Sequence, residues 1–166
     1  KDLALPLKLY KGMGLKIKKL SNSSYEIYCK TLKPIKKIST KEFPGYPTDL
    51  QAQLIATQLK SGLKSKVVEN IFENRFIHIP ELRRFGANLS IKGKTVTIDK
   101  TPNLLGAEVM ATDIRASFSL IIAAMMSKGK TVINRIYHLD RGYEDFDLKL
   151  KKCGVNISRK KWKNKI

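Results

Sequence analysis

Cysteine, tryptophan and acidic side chains are all scarce in this 166-residue chain, which carries two Cys, one Trp and 14 Asp plus Glu against 33 Lys plus Arg. Cys29 and Cys153 lack a CxxC neighbour or a histidine at metal-ligand spacing, so neither a zinc site nor a disulfide framework is expected, and no metal is called for. They are read as buried free thiols of a reducing cytoplasm. The longest apolar stretch, over 118–126, is too short to cross a bilayer, and no signal-peptide pattern is present, so a cytoplasmic protein with no membrane partner is expected. The chain opens on Lys1-Asp2 rather than on methionine, as expected of a piece of a longer protein. What remains is 42% hydrophobic, enough apolar content for a real core.

The charge is one-sided, at +19 with a pI near 10.0. That balance suits a nucleic-acid-binding module, which stands as an alternative reading. Its distribution argues otherwise. Arginine occurs at 75, 83, 84, 115, 135, 141 and 159, and the remaining basic residues are lysines spread over every segment, with crowding at Lys8, Lys11, Lys16, Lys18 and Lys19 and again at Lys160, Lys161, Lys163 and Lys165. Scattered lysine reads as a solvated face, whereas groove binders gather basic residues with aromatics or arginines on one element. No nucleic-acid partner is therefore expected.

The chain repeats itself. Thr48-Asp49-Leu50-Gln51-Ala52 recurs as Thr112-Asp113-Ile114-Arg115-Ala116, and each copy opens an apolar helical run, through Leu54, Ile55 and Leu59 to Gly62 or through Leu120, Ile121, Ala124 and Met125 to Gly129. A second marker is glycine, apolar, polar, apolar: Gly14-Leu15-Lys16-Ile17, Gly86-Ala87-Asn88-Leu89 and Gly154-Val155-Asn156-Ile157. In each, a helix ends at the glycine and a strand follows. Pro80 opens the helix before Gly86. Hairpins are expected over 15–28 and 88–98, turning at Ser21-Asn22-Ser23-Ser24 and Lys92-Gly93. After Gly154 a strand starts but fades into Arg159-Lys160-Lys161. Short strands follow the main helices at Lys66-Val67-Val68-Glu69 and Thr131-Val132-Ile133-Asn134. The unit reads strand, helix, strand, helix, strand, strand over about 65 residues, an α/β class. It divides the chain into a partial unit at 1–41, a unit at 42–107 and one at 108–166 lacking its last strand. The two main helices are apolar nearly all round and are expected to be buried.

Asp49 follows the stiff turn Phe43-Pro44-Gly45-Tyr46-Pro47-Thr48. Asp49 and Asp113 can each cap a helix, contributing roughly 1 kcal/mol, or carry chemistry. Arg115 sits in a first helical turn, where a cation opposes the helix dipole. An anion held between its guanidinium and the helix N-terminal amides would account for it. Arg135 to Glu144 concentrates polar groups, among them His138, Asp140 and Arg141. Its counterpart, Asn70 to His78, holds Phe72 and Phe76, which could line a sugar or base pocket or simply pack, and Glu73 with Arg75, which could form a structural ion pair.

FPGYPTDLQAQ (43–53), IFENRFIHIPEL (71–82), GAEVMATDIRAS (106–117) and RIYHLDRGYE (135–144) closely resemble the UDP-N-acetylglucosamine enolpyruvyl transferases, or 1-carboxyvinyltransferases. The resemblance implies an inside-out α/β barrel of βαβαββ units, as in EPSP synthase, and places this chain in the C-terminal portion. It implies a transferase of peptidoglycan synthesis, and so of cell wall biogenesis, cell shape and cell division. The reaction moves the enolpyruvyl group of phosphoenolpyruvate to the 3′-hydroxyl of UDP-N-acetylglucosamine, with no cofactor. By the same resemblance Asp49 is the general base and a sugar contact, and Ile71 contacts the nucleotide sugar through its backbone. Arg115 and Arg141 hold the phosphate and carboxylate of phosphoenolpyruvate, Arg141 with a catalytic part. Asp113, His138, Arg75 and Phe72 are polar or aromatic neighbours in the same cleft. Neither cysteine lies in a matching motif. Phe118 departs from the small residue the family pattern leads one to expect. The partner implied is the N-terminal half of the enzyme, with its reactive-cysteine loop. Without that half the chain is expected to be inactive, and a non-catalytic remnant domain is the nearer alternative.

Overall fold

The computed structural model describes residues 3–160, so Lys1-Asp2 and the tail lysines Lys161, Lys163 and Lys165 lie outside the described residues. Helix α1 (Ala4–Gly12) leads into the antiparallel hairpin β1 (Lys16–Lys19) and β2 (Tyr25–Tyr28). Then come β3 (Lys37–Ser39), a 3-10 turn (Thr48–Leu50), α2 (Gln51–Gln58), β4 (Ser65–Val68), α3 (Ile79–Arg84), β5 (Leu89–Lys92) and β6 (Thr95–Ile98). The last stretch holds β7 (Glu108–Met110), α4 (Ile114–Met126), β8 (Val132–Asn134), α5 (Tyr137–Asp140) and α6 (Phe146–Lys152).

The stretch from β3 to β6 is one continuous strand–helix–strand–helix–strand–strand pattern, folded into a four-stranded sheet of order β3-β4-β6-β5. Its first two strands run parallel across the α2 crossover, as βαβ units require, and the β5–β6 hairpin adds antiparallel to β4. The remaining strands form two separate pairs: β1–β2, antiparallel, and β7–β8, parallel across α4. The α/β class therefore holds, while among the described residues the sheets stay separate and no barrel closes. Gly14, Gly86 and Gly154 all adopt positive φ, at 97°, 82° and 87°, so each marker glycine turns the chain out of a helix where an L side chain is disfavoured.

The core lies between α2 and α4. Leu54, Ile55 and Leu120 are buried there with Leu82, Phe85 and Val96, each such side chain contributing about 1.5–3 kcal/mol. On its far side α4 buries Ile121 against Leu139 and Phe146. Phe118, the residue that departs from the family pattern, stacks on Tyr143 with ring centroids 4.5 Å apart, so the bulk is used. Helix α3 fastens this last part to the rest: Glu81 accepts the Met110 amide at 2.8 Å, and Arg84 donates to the Glu108 carbonyl at 2.7 Å.

Two expectations are corrected. Cys29 and Cys153 are both exposed, because one follows a hairpin strand that is open on both faces and the other caps the exposed end of α6. The strand expected after Gly154 does not form. Residues 155–160 have no ladder partner among the described residues, and the Val155 amide returns to the Leu150 carbonyl of α6.

The start of β7 depends on close backbone approach. A Cβ on Gly106 would clash with the Lys130 carbonyl oxygen and lie 2.8 Å from its amide nitrogen, and backbone yields less readily than a side-chain tip. Gly106→Ala is expected to cost about 1–3 kcal/mol, seen as a lower urea midpoint of the chain. An unchanged midpoint would mean that the two backbones part freely.

Candidate active site

The packing of α2 on α4 brings the two Thr-Asp copies together, and they do different things. Asp113 caps α4: its Oδ1 accepts the Arg115 amide at 2.8 Å and the Ala116 amide at 2.9 Å. Asp49 caps nothing. It sits inside the 3-10 turn, so α2 starts at Gln51 with Leu50, which has no side-chain cap, at its N-cap, and the Asp49 carboxylate is left to bind elsewhere. Its Oδ1 is approached by Arg115 Nε at 2.5 Å and by Arg75 Nη2 at 3.2 Å.

This cluster differs from the pairings the sequence suggested. Arg75 pairs with Asp49, not with Glu73. The first amides of α4 are occupied by Asp113, and the Arg115 guanidinium is paired with the Asp49 carboxylate. The side chains of Asp49 and Arg115 are 59% and 43% exposed, and pairs this open contribute about 0–1 kcal/mol. Stability therefore gives little reason to gather two arginines on one carboxylate.

Arg75 is the most restrained member. Its Nη1 donates to Thr48 Oγ1 at 2.9 Å, and its guanidinium lies 4.5 Å from the centroid of the exposed Phe72 ring. Asn74, at φ 55°, makes the left-handed bend that returns Arg75 towards Thr48, a conformation asparagine tolerates. Ile71 is half-buried, and its amide donates to Glu69 Oε1 at 2.9 Å. On the other side, Tyr46 is buried and donates its hydroxyl to the Leu50 carbonyl at 3.2 Å, pinning the 3-10 turn. Burial raises the Tyr46 phenol far above its ordinary pKa, and the neighbouring Tyr10 acts in the same sense.

Arg141 and His138 lie apart from the Asp49 cluster. Arg141 is exposed and lines an open cleft of about 740 Å³ with Asp140, Asp147 and Arg159. Arg159 bridges Asp140 at 2.7 Å and 3.1 Å and Asp147 at 2.7 Å, and these carboxylates, Asp140 foremost, hold its guanidinium above its ordinary pKa. His138 is half-buried with its ring 4.3 Å from that of Tyr137. The link back to the cluster is Gly142, where a Cβ would clash with Ile114 Cδ1. Gly142 thus packs on the side chain of Ile114, the residue before Arg115.

Sequence reasoning passed over three residues. Thr48 joins Arg75 to a buried carboxylate, Glu69. Glu69 was detectable: Ser65 and Val67 point inward along β4, and Glu69 shares their parity. His78 is also buried, and its Nε2 has no hydrogen-bond partner among the described residues. Burial pushes His78 down to about 4, against an opposing pull from the Asp113 carboxylate.

A family model described as EPSP synthase (3-phosphoshikimate 1-carboxyvinyltransferase) matches residues 2–150. The chain is 56% identical over 122 residues to the UDP-N-acetylglucosamine 1-carboxyvinyltransferase of Afipia carboxidovorans, an alignment covering 74% of this chain and 28% of that protein. To the protein of the same name from Pelagibacter ubique it is 49% identical over 161 residues, covering 96% of this chain and 38% of that one. The chain thus spans about a third of the length of these relatives. Among solved structures it is similar to the enolpyruvyl transferase NikO from Streptomyces tendae, with a TM-score of 0.80 and 27% identity over 92% of this chain and 35% of that one. It also shares its fold with EPSP synthase from Acinetobacter baumannii, with a TM-score of 0.59 and 15% identity over 76% of this chain and 31% of that one.

His78 predicts how the chain responds to acid. Between pH 6.5 and about 4 the unfolded chain binds a proton that folded His78 refuses, so stability falls as pH drops through that window. The loss attributable to His78 is about 3 kcal/mol. Urea midpoints measured across the window should show a clear slope that His78→Leu flattens. An identical slope in that variant would remove His78 as its source.

Proposed function

Because the chain belongs to the EPSP synthase family, we propose that it forms part of an enolpyruvyl transferase that moves the enolpyruvyl group of phosphoenolpyruvate to the 3′-hydroxyl of UDP-N-acetylglucosamine and releases phosphate. The support for this acceptor is the 49–57% identity to relatives bearing that name. The single observation that carries the chemistry is Asp49 held between Arg75 and Arg115.

The hydroxyl oxygen attacks C2 of phosphoenolpyruvate as C3 takes up a proton, giving a tetrahedral adduct. C3 then loses a proton, the C2–O bond to the phosphate breaks, and the enol ether forms with inorganic phosphate leaving. A sugar hydroxyl needs a base within hydrogen-bond reach, and Asp49 fills that role on its pinned turn. Arg115, paired with Asp49, turns to the anionic donor when it arrives. The donor thereby replaces one of the two cations on the base. Arg141, from the cleft beside Gly142, contributes a second cation for the phosphate or carboxylate of the donor. Asp113 keeps α4 capped so that Arg115 projects from a fixed turn. The Ile71 amide is taken by Glu69, so a backbone contact to the nucleotide sugar falls to the Ile71 carbonyl, with Phe72 and His138 as neighbours.

In this reading the chain divides into units at 1–41, 42–107 and 108–166, and β3, at the end of the first, pairs parallel with β4 of the second. The rest of the protein supplies the facing half of the cleft, the setting is cytoplasmic, and the product enters peptidoglycan synthesis. Among the described residues no helix is long and apolar enough to cross a membrane. Five of the seven arginines are engaged within the chain: Arg75 and Arg115 on Asp49, Arg83 on the Leu89 carbonyl, Arg84 on Glu108, and Arg159 on Asp140 and Asp147. That leaves few to read a nucleic acid.

In the full-length enzyme Asp49→Asn should still bind UDP-N-acetylglucosamine and lose kcat by about 10²-fold or more. A near-normal kcat would take the base role from Asp49. The 166-residue chain alone should release no phosphate from the two substrates, and measurable release would show that the facing half is dispensable.

A further inference from the structure

Glu69 has the surroundings of a residue held for a purpose. It is 1% exposed, yet no cation neutralises it among the described residues. Instead, four donors converge on its two oxygens. Oε1 accepts from the Thr40 hydroxyl at 2.8 Å, the Ile71 amide at 2.9 Å and the Phe72 amide at 3.2 Å, and Oε2 accepts from the Thr48 hydroxyl at 2.9 Å. Thr40 also accepts the Asn70 amide at 2.8 Å, which closes the loop around the carboxylate.

Resting on the enolpyruvyl-transfer reading above, we infer that Glu69 is a positioning residue for the Asp49–Arg75–Arg115 cluster. Arg75 has two anchors, the Thr48 hydroxyl and the Phe72 ring, and Glu69 fixes both: Thr48 through Oε2 and the Phe72 backbone through Oε1. Thr48 is also the residue before Asp49. The Thr48 hydroxyl has a single proton, and giving it to Glu69 leaves the oxygen to accept from Arg75 Nη1. The direction of this relay, from Arg75 to Thr48 to Glu69, is therefore set by a group that only accepts.

Glutamine at this position keeps the shape and breaks the direction. Its oxygen must take the Oε1 place, where three donors meet, so its NH₂ faces Thr48. Thr48 then receives hydrogens from both the amide and Arg75, and its own proton loses its buried acceptor. The Ile71–Phe72 loop keeps its partner, while the Arg75–Asp49 side loses its orientation. Glu69→Ala, by contrast, strips both sides at once.

The test uses the full-length enzyme and two kinds of readout. Independently of catalysis, amide hydrogen exchange at Ile71 and Phe72 should quicken by about 10-fold or more in Glu69→Ala and change little in Glu69→Gln. In steady state, Glu69→Gln should lower kcat by about 10-fold or more, with a nearly unchanged KM for UDP-N-acetylglucosamine and an unchanged melting temperature. In an Asp49→Asn background Glu69→Gln should add almost nothing, since a residue that acts through Asp49 has no second route to the rate. The inference is overturned if Glu69→Gln keeps wild-type kcat, if its loss is undiminished in the Asp49→Asn background, or if exchange at Ile71 and Phe72 is the same in Glu69→Ala as in wild type. If the wild-type enzyme does not turn these substrates over, the functional reading itself falls. The placement of Asp49 by Glu69 then stands or falls on a crystal structure of Glu69→Gln, in which Arg75 must have left Thr48.

Discussion

The contact between α2 and α4 determines where everything else can be. Both helices are buried along most of their length, α2 with Gln51 and Gln58 among its buried residues, and they lie against each other with Leu54, Ile55 and Leu120 in the shared core. Their first turns carry the Thr-Asp motifs, and packing the helices side by side brings the Asp49 carboxylate to the Arg115 guanidinium. An ion pair this exposed lacks the strength to assemble the fold, so the causal order runs from hydrophobic packing to polar geometry. The four-stranded sheet beneath α2 then sets the direction from which Arg75 arrives, because the segment after β4 must pass over the same end of the helix.

The duplicated motif shows how one local sequence can take two structural roles. At Asp113 the preceding backbone is extended and the carboxylate folds back onto its own helix. At Asp49 the Pro47-bounded 3-10 turn delays the helix by one residue, and the carboxylate points away from the amides it would otherwise cap. The fourth position of the motif diverges in parallel. Gln51 is buried, whereas Arg115 is half-exposed and charged. One copy thus keeps its carboxylate free while the other supplies a cation to it.

How much of this could be read from residues follows from how local each cause is. The marker glycines, Pro80 and the apolar periodicities act within a few residues, and the helices, both hairpins and the α/β alternation appear where those signals lie. The pairing of Asp49 with Arg75 and Arg115 spans two repeats and needs the packed fold, so the motifs could nominate the residues without assigning partners. Nearness in sequence makes Glu73 one possible partner for Arg75, and the packed fold gives it Asp49. The exposure of Cys29 and Cys153 and the missing strand after Gly154 were misjudged for a related reason: burial and strand pairing depend on what lies alongside, which composition does not report. Glu69 was the one tertiary feature with a local trace, a charged residue on the inward parity of an apolar strand.

Both arginines make their closest approach to the same oxygen of Asp49, Oδ1. The consequence is a division of work between two atoms of one side chain. In the proposed role, one oxygen serves as a mooring that fixes where the carboxylate lies, and the other is the one left to take an arriving proton. A carboxylate gripped through both oxygens would be equally well placed and chemically closed. This one is held fast and still open on one side.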